Sequence, residues 1–447
     1  MEKISSSDLK SAEEVAPPNP LGLVAASVAA PNPLGLIAAS VAQPAFLFRF
    51  QTGMRWMHLG LPSRFRFRFE RNPLGAMPIV LHWFIRLRLI SKGRLFTMLA
   101  QRLLCAPGQS AGNCLQLAMC MLQRVFKFKF KPPTCAATLA GHSGGVFSAA
   151  FHPMAPLFAT GSGDGTVKLW RLSRNDSSAT CVATLAGHNA LVRCVAFHPT
   201  APIFATGSQD TTVRLWRISP DNSSATCVAA LEGHGSSVSS VAFHPTAPIF
   251  ATGSFDGKVK LWKLFPDNSS ATCVATLEGN GDYIMSLAFH PNGSSFATVM
   301  LNGTMKLWQM SSDNSSATCV DILEVHNGVV NSVAFHPTQS LIATGSSDCS
   351  AKLWRISPDN SSATCVATVE HDGGVNSVAF HPTQNLLATS CNDGIARVWL
   401  LSNNGSLATC VATLDSHDEG VNCVAFHPTA PVLLTGGDDW LSKLWKL

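Results

Sequence analysis

The chain has 447 residues, of which 46% are hydrophobic and 13% charged, and this composition excludes a wholly disordered protein because it supplies ample apolar core. The formal net charge of +5 conceals an asymmetry, since residues 1–132 carry 17 Lys or Arg against 5 Asp or Glu, and residues 133–447 carry 15 against 22. The resulting charges of +12 and −7 indicate two physically different parts joined in one chain.

Residues 1–60 are predicted to form a low-complexity apolar tether that is rich in Pro and Ala. The opening residues are polar and carry four acids, unlike a secretory signal, so we expect a cytoplasmic or nuclear protein. No charge occurs between Glu14 and Arg49, but Pro31-Asn32-Pro33 divides this apolar run into pieces too short to span a membrane.

Residues 61–132 form a basic amphipathic region in which the sequence predicts two kinds of element. The segments "RFRFRFE" at 64–70 and "FKFKFK" at 126–131 alternate Phe with a basic residue, which predicts strands with one apolar and one cationic face. Residues 77–104 contain no acid and predict one or two basic amphipathic helices, broken at Gly93.

Three interpretations of this basic region remain open. The plainest is a helical hairpin packed against the rest of the chain. The second is binding to an acidic membrane surface or to nucleic acid. In the third, "LRLISKGRLFTMLA" at 87–100 resembles the second half of an F-box, without its usual Leu-Pro-x-Glu opening, and this resemblance implies recruitment of ubiquitin-ligase subunits.

Residues 133–447 consist of seven copies of one unit of about 46 residues. Each full unit contains four short apolar or alternating runs separated by Gly, Pro, Asn and Asp, a pattern typical of strands and hairpins. Four strands in a unit of this size are typical of one blade of a β-propeller.

In six units a His precedes an Asp by 22 residues, and this Asp precedes a Trp by six. The pattern resembles the WD40 repeat family. This resemblance implies an all-β, seven-bladed β-propeller of four-stranded blades over residues 133–447, preceded by a basic N-terminal region that is partly helical or disordered. It also implies a hydrogen-bonded His, Thr, Asp and Trp chain in each blade. The residues are His142, Thr160, Asp164 and Trp170; His188, Thr206, Asp210 and Trp216; His234, Thr252, Asp256 and Trp262; His326, Thr344, Asp348 and Trp354; His371, Thr389, Asp393 and Trp399; and His417, Thr435, Asp439 and Trp445.

The fourth unit departs from this pattern, because Asn280 and Asn302 replace the His and the Asp. It keeps the Thr, the Trp and all strand runs, so we expect its blade to form with local hydrogen bonds in place of the charged link. A second departure concerns every unit. Arg, Lys, Gln or Leu follows the Trp, where the family often has Asp.

A hydroxyl, an imidazole and a carboxylate together could form a nucleophile triad, but an active site needs one copy at one pocket. Six copies at constant spacing indicate a structural device. The seven histidines of the "FHP" segments are likewise predicted to be turn residues rather than metal ligands, because they are spread one per blade. They are His152, His198, His244, His290, His336, His381 and His427. We therefore predict no enzyme, no cofactor, no metal and no small-molecule substrate.

The two ends of the repeat region predict how the ring closes. The first unit begins with a fourth-strand sequence, and the last stops after its third strand. By resemblance to the family, residues 134–140 should pair beside the strand that ends at Leu447, which removes two exposed edges.

WD40 propellers are similar in function as well, and the resemblance implies a monomeric scaffold that holds partner proteins or peptides on its top face. Family resemblance places three residues of each blade on that face, and in units five to seven these are small or polar. The larger side chains come from units one to four, and we predict a binding surface there. The candidates are Phe147, Leu191, Arg193, Gln209, Phe255, Tyr283, Met285 and Leu301.

Seven of the 14 Cys occupy one position of the repeat, so their number follows the duplication and does not indicate disulfide pairs. They are predicted to be free, mostly buried thiols in a reducing compartment. They are Cys135, Cys181, Cys227, Cys273, Cys319, Cys365 and Cys410.

Overall fold

The computed structural model describes residues 49–51, 54–57, 65–71, 82–91, 94–104, 133–279 and 281–447. The chain separates into two compact units, Met1–Phe128 and Lys129–Leu447. Residues 1–48 of the apolar tether predicted at 1–60 lie outside the described residues, as does the segment 126–131, whereas 49–51 and 54–57 lie in strands. No helix in the described part of the chain is long and apolar enough to cross a membrane.

The described part of the first unit is a five-stranded antiparallel sheet in chain order. Its strands are β1 (Arg49–Gln51), β2 (Met54–Met57), β3 (Phe65–Arg71), β4 (His82–Ser91) and β5 (Arg94–Leu104). The strand predicted at 64–70 is therefore confirmed, and the helix predicted over 77–104 is wrong. The reason lies in residues 85–89, "IRLRL", which alternate with period two and pair with the alternating Phe and Arg of β3.

The second unit contains seven four-stranded sheets. The first strands are β7 (Val146–Phe151), β11 (Val192–Phe197), β15 (Val238–Phe243), β19 (Ile284–Phe289), β23 (Val330–Phe335), β27 (Val375–Phe380) and β31 (Val421–Phe426). The second strands are β8 (Leu157–Ser162), β12 (Ile203–Ser208), β16 (Ile249–Ser254), β20 (Ser295–Met300), β24 (Leu341–Ser346), β28 (Leu386–Cys391) and β32 (Val432–Gly437).

The third strands are β9 (Val167–Leu172), β13 (Val213–Ile218), β17 (Lys258–Leu264), β21 (Thr304–Met310), β25 (Ser350–Ile356), β29 (Ile395–Leu401) and β33 (Ser442–Lys446). The fourth strands are β10 (Ala179–Leu185), β14 (Ala225–Leu231), β18 (Ala271–Glu278), β22 (Ala317–Glu324), β26 (Ala363–Glu370), β30 (Ala408–Asp415) and, for the last blade, β6 (Thr134–Leu139). Blade 1 is thus β7–β10, blades 2 to 6 follow in order, and blade 7 is β31, β32, β33 and β6. The predicted all-β, seven-bladed propeller is confirmed.

Apolar side chains pack between blades rather than inside a single sheet. Every residue of the seven second strands is buried, because both faces of these strands are covered by neighbouring blades. Seven hydrophobic clusters result, each combining one face of a blade with the facing side of the next. The ring is therefore stabilised by burial at seven similar seams.

Closure of the ring occurs as predicted, through one strand from the start of the repeat region. β6 pairs antiparallel with β33, with Ser442 opposite Leu139 and Lys446 opposite Thr134. The last cluster contains Leu139 together with Phe158 of blade 1 and Leu444 of blade 7. The first and last repeats are thereby joined into one sheet.

The "FHP" histidines link each blade to the next, in addition to holding their own turns. In blade 1, His152 Nδ1 accepts bonds from the N–H groups of Met154 and Ala155 at 3.0 and 2.8 Å. Its ring meets Phe197 of blade 2 edge-on, with ring centroids 5.2 Å apart. Equivalent His–Phe contacts occur at all seven seams, at 4.9 to 5.3 Å.

Four of the five basic residues that follow the Trp, Arg171, Arg217, Arg355 and Lys446, form a second link between blades, on the face opposite the top face. Arg171 Nη2 donates to the Asp221 carbonyl of the next blade at 2.9 Å, and Arg217 Nη2 donates to the Asp267 carbonyl at 2.6 Å. Lys446 Nζ extends the same link across the closure, to the Asn175 carbonyl at 3.0 Å. An Asp at this position could not donate these bonds, which gives a physical reason for the departure from the family pattern.

The prediction that the seven repeat cysteines are mostly buried is wrong. Six of them are exposed and Cys410 is half-buried, because they lie on the fourth strands at the outer edge of the blades. Among the cysteines that the structure describes, the buried ones are instead Cys194, Cys391 and Cys423, on inner strands. Burial raises the pKa of the Cys194 and Cys423 thiols to about 12, so these two remain protonated.

Candidate interaction face

The top face carries the turns between second and third strands and the loops that enter each first strand. In blades 1, 2, 3 and 5 the turn carboxylate accepts an N–H of the entering loop and so ties these two segments together. In blade 1, Asp164 Oδ1 accepts bonds from the Thr166 N–H and hydroxyl at 2.9 and 2.7 Å, and Oδ2 accepts the Ser143 N–H at 3.0 Å. Burial raises the pKa of Asp164, but the bonds from Ser143, Thr166 and His142 outweigh it and lower the pKa to about 2.

Five blades contain a complete chain of hydrogen bonds from Trp to Thr to His to Asp. Trp can only donate, so the Thr hydroxyl accepts from Trp Nε1 and donates to His Nε2, and His Nδ1–H donates to the carboxylate. Over blades 1, 2, 3, 5 and 7 the Trp–Thr distance is 2.8 to 3.1 Å. The Thr–His distance is 2.7 to 2.9 Å, and the His–Asp distance is 2.8 to 2.9 Å.

The geometry of this hydrogen-bonded chain indicates a structural role. The Thr hydroxyls are fully buried, so none is accessible to a substrate as a nucleophile. The direction of the bonds requires a neutral imidazole, and burial lowers the pKa of His142 despite the opposing effect of Asp164. The described residues also contain no cluster of His, Cys, Asp or Glu that could hold a metal ion.

Blade 6 differs from the expected chain at one link. His371 Nε2 lies 2.8 Å from the Thr389 hydroxyl, but no bond joins Nδ1 to Asp393. The Asp393 carboxylate lies 2.7 Å from Arg397 Nη1 instead, and Arg397 Nη2 also bonds Asp372. Burial and the charge of Arg397 lower the pKa of His371 to about 4. The sequence prediction is therefore wrong for this link, because the Arg397 guanidinium, which is also held by Asp372, takes the carboxylate. Arg214, at the equivalent position of blade 2, bonds Cys227 instead and leaves Asp210 to His188.

Blade 4 keeps the inner link of the chain, with Trp308 Nε1 donating to the Thr298 hydroxyl at 2.9 Å. Asn302 Oδ1 accepts bonds from the Thr304 N–H and hydroxyl, as the Asp does elsewhere. Asp282 contributes a further bond, from the Asn302 N–H at 3.0 Å. Asn280 lies outside the described residues.

Four of the predicted binding residues come together on blades 2 to 4, and we call Arg193, Phe255, Tyr283 and Leu301 the aromatic patch. The Phe255 and Tyr283 rings stack with centroids 5.1 Å apart and an angle of 12°. The Arg193 guanidinium carbon lies 4.8 Å from the Phe255 centroid. The Leu301 N–H donates to the Tyr283 carbonyl at 3.0 Å, which fixes the two residues side by side.

Parts of this patch are open to solvent. Tyr283 is 47% exposed and Leu301 is 42% exposed, whereas Phe255 and Arg193 are half-buried. Stacking on Phe255 therefore holds Tyr283 in place while the rest of its surface is free. The arrangement presents a rigid apolar surface with one positive charge beside it.

The other four predicted binding residues are not part of the aromatic patch. Leu191 and Met285 are half-buried, Gln209 is exposed, and the Gln209 N–H donates to the Leu191 carbonyl at 3.0 Å. Phe147 lies in blade 1 against Gly163, away from the aromatic patch. The structure thus brings together four of the eight candidates.

Polar side chains on the rest of the top face form hydrogen bonds between neighbouring blades. Asn331 Nδ2 donates to the Val375 carbonyl and Asn376 Nδ2 to the Val421 carbonyl, each at 3.0 Å. These asparagines therefore join blades, in contrast to the exposed rings of the aromatic patch.

Sequence reasoning missed Trp440, which is 53% exposed on the turn between β32 and β33. Its φ of 66° lies in the left-handed region, at a position that Gly165 and Gly257 occupy in other blades with φ of 76°. The signal was present in "GGDDW", because a Trp follows the turn Asp there. The family pattern places the residue before that Asp on the top face, and so does not mark Trp440.

Comparison with known families agrees with this architecture. The family model described as "WD domain, G-beta repeat" (WD40) matches residues 133–171, 179–217, 225–263, 271–309, 317–355, 363–399 and 408–446, which together make up more than half of the chain. The chain belongs to the WD40 repeat family. WD40 propellers are in general non-enzymatic scaffolds that bind other proteins.

Individual relatives are similar over a much shorter length. The chain is 44% identical over 46 residues to "F-box-like/WD repeat-containing protein TBL1X" from Mus musculus and to "F-box-like/WD repeat-containing protein TBL1Y" from Homo sapiens. The matched stretch covers 10% of this chain and 9% of each relative. Its length is that of one WD40 repeat, so it carries no information about the F-box-like part of those proteins.

Proposed function

We propose that this chain is a non-enzymatic scaffold and that its protein partner binds at the aromatic patch. The observation that carries the proposal is the stacked Phe255–Tyr283 pair, of which Tyr283 remains 47% exposed beside the exposed Leu301. Tyr, Phe and Arg are the residue types that contribute most to the centre of protein interfaces. Rigid positioning reduces the entropy that binding would otherwise cost.

The test compares partner capture by the tagged full-length chain with that by a double variant, Tyr283→Ala with Phe255→Ser. Proteins retained from a cell extract by the unaltered chain are identified by mass spectrometry. We expect the double variant to lose them while its melting temperature stays nearly unchanged, since both rings lie at the rim.

The matched control removes apolar surface on the opposite face, with Met154→Ser and Phe265→Ser, two residues that are 80% and 41% exposed. This control should retain the partners. Equal loss in both variants, or a large drop in melting temperature for the Tyr283 and Phe255 variant, would contradict the proposal and indicate a structural role for the two rings.

A second candidate function rests on the first unit, as attachment of the scaffold to an acidic membrane surface or to nucleic acid. The pairing of β3 with β4 places Arg66 opposite Arg88 and Arg68 opposite Arg86. Residues 1–132 carry 17 Lys or Arg against 5 Asp or Glu, and such an excess of positive charge favours binding to a polyanion. Binding to phosphatidylserine vesicles or to an oligonucleotide should be salt-sensitive and should be lost when residues 1–132 are removed. Retained binding after removal would contradict it.

The F-box alternative receives no support from the described residues. The resemblance covers residues 87–100, of which 87–91 lie in β4 and 94–100 in β5, two antiparallel strands rather than a helix. Recruitment of ubiquitin-ligase subunits is therefore not part of the proposed function.

A further inference from the structure

Arg193 is held in place by two contacts but lacks a counter-ion. Its Nε donates to the buried Ser237 hydroxyl at 2.9 Å, and its guanidinium carbon lies 4.8 Å from the Phe255 ring centroid. No carboxylate among the described residues pairs with it, and burial lowers its pKa. Arg remains charged in proteins, so the site holds a partly desolvated positive charge.

Other arginines of the propeller use their terminal nitrogens within the fold. Arg171, Arg217 and Arg355 each donate from Nη2 to a carbonyl of the next blade. Arg193 uses only Nε among the described residues, so both Nη groups remain available. Two parallel N–H donors on one edge are the geometry that binds a carboxylate or a phosphate.

The surroundings of Arg193 also favour an anion. The equivalent positions of the other blades are Phe147, Ser239, Met285, Asn331, Asn376 and Asn422, all uncharged. Asp282, next to Tyr283 in the sequence, accepts bonds from the N–H groups of Tyr283 and Asn302. The aromatic patch therefore combines an exposed apolar surface with one unpaired cation.

We infer that the aromatic patch takes a peptide that carries an anionic group, a carboxylate or a phosphate, close to a large apolar side chain. This inference rests on the proposed function and specifies its partner. The apolar side chain packs on Tyr283 and Leu301, and the anion accepts two bonds from the Nη groups of Arg193. Charge complementarity gives the peptide a direction across the patch.

The experiment begins with selection of random dodecapeptides on the immobilised full-length chain. Selected peptides are synthesised and their Kd values are measured by fluorescence anisotropy. We expect Asp or Glu to be enriched within a few residues of Leu, Ile, Phe or Trp. Selected peptides without an acid would overturn the inference.

Two protein variants then test Arg193 itself. Arg193→Gln should raise the Kd at least tenfold and weaken its dependence on salt, because one charge-assisted pair is lost. Arg193→Lys should have a smaller effect, since it keeps the charge but not the paired donors. The matched control is Arg174→Gln, the same change at an exposed position on the opposite face, which should leave the Kd unchanged.

A third arm leaves the protein unaltered and so does not depend on how the variants fold. The acid of one selected peptide is replaced by Asn or by phosphoserine. Asn should weaken binding at least tenfold, and the comparison of Asp with phosphoserine shows which anion is preferred. Equal binding of the Asp and Asn peptides would overturn the inference.

Failure of the inference is distinguishable from failure of the proposed function. If selected peptides lose binding with Tyr283→Ala but not with Arg193→Gln, the patch binds peptides and the anion requirement is wrong. If neither Tyr283→Ala nor Phe255→Ser affects binding, the patch is not the binding surface, and both the proposed function and the inference are wrong.

Discussion

At the scale of single residues, one Thr hydroxyl in six of the seven blades joins two buried polar groups, a His and a Trp. Thr344 accepts a bond from Trp354 Nε1 at 2.9 Å, and its Oγ1 lies 2.8 Å from His326 Nε2. Leaving a buried polar group without a partner costs about 1–3 kcal/mol. Repetition of these hydrogen bonds supplies partners for the six His and seven Trp that are buried in an otherwise apolar ring.

A Thr-to-Val substitution should therefore cost more in blade 5 than in blade 4. Thr344→Val leaves both His326 and Trp354 without a partner, whereas Thr298→Val removes the bond to Trp308 from a blade without this histidine. We expect Thr344→Val to lower the free energy of unfolding by roughly 1–2 kcal/mol more than Thr298→Val does. Urea denaturation of both full-length variants measures the difference, and equal losses would contradict the role assigned to His326.

Blade 6 provides a second prediction at this scale, because its carboxylate pairs with Arg397 rather than with His371. In blade 5 the equivalent residue is Lys352, which donates to the Val325 carbonyl and leaves Asp348 to His326. Arg397→Lys should release Asp393 to His371, and the pKa of His371 should rise from about 4. NMR titration of the imidazole measures this pKa. Lys352→Arg in blade 5 is the matched control, and a pKa that remains near 4 would show that burial alone lowers it.

At the scale of elements, three kinds of contact join neighbouring blades. The two ends of the repeat region are joined in the same way. The apolar clusters lie in the middle, the His–Phe contacts at one face, and the bonds from residues such as Arg217 at the rim of that face. Blade 7 depends on β6 for its fourth strand, so removing either partner strand exposes an edge and opens a cluster.

Truncation after Leu441 should therefore destabilise the whole ring and not only blade 7. The truncation removes β33, which separates β32 from β6 and takes Leu444 and Trp445 out of two clusters. Calorimetry should show a melting temperature well below that of the full-length chain. Removal of residues 1–48, which precede the first described strand, serves as the control for shortening the chain. A truncated protein that melts like the full-length one would contradict closure through β6.

At the scale of the whole molecule, the ring is built around neutral imidazoles. All thirteen histidines of residues 133–447 have a pKa lowered from 6.5, and burial is the main cause in each. Both sets of histidines, those of the hydrogen-bonded chains and those of the turns, accept bonds at a ring nitrogen in the neutral form. Protonation would remove these bonds throughout the ring.

Stability should consequently fall as the pH decreases from 7 to 5. In the unfolded chain these histidines titrate near 6.5, whereas in the folded chain they titrate lower, so the unfolded state binds more protons in this interval. Their contribution is fully present above about 6.5 and is lost as the pH falls through the lowered folded values. Urea denaturation at pH 7, 6 and 5 measures the trend. A free energy of unfolding that is constant or rises on acidification would contradict it.

The sequence by itself determined the repeated parts of this protein. Seven equal units predicted seven four-stranded blades, and the unmatched fourth strand at 134–140 predicted the closure. Constant spacing located the Thr–Trp pairs, because register within one sheet follows from period-two alternation and short turns. In the first unit the same reasoning succeeded at 64–70. It failed at 77–104, because the basic, acid-free composition of that segment suggested a helix, whereas the alternation of residues 85–89 indicates a strand.

Only the tertiary structure decided which side chains meet between blades. Phe255 and Tyr283 stack across a seam, Arg193 lies over Phe255, and Arg397 takes the carboxylate of Asp393 from His371. Such contacts depend on the packing of one sheet against the next and on the rotamers of long side chains, neither of which is encoded in spacing along a strand. The sequence placed the large side chains on units one to four, but only this packing brings Arg193, Phe255 and Tyr283 together in one surface.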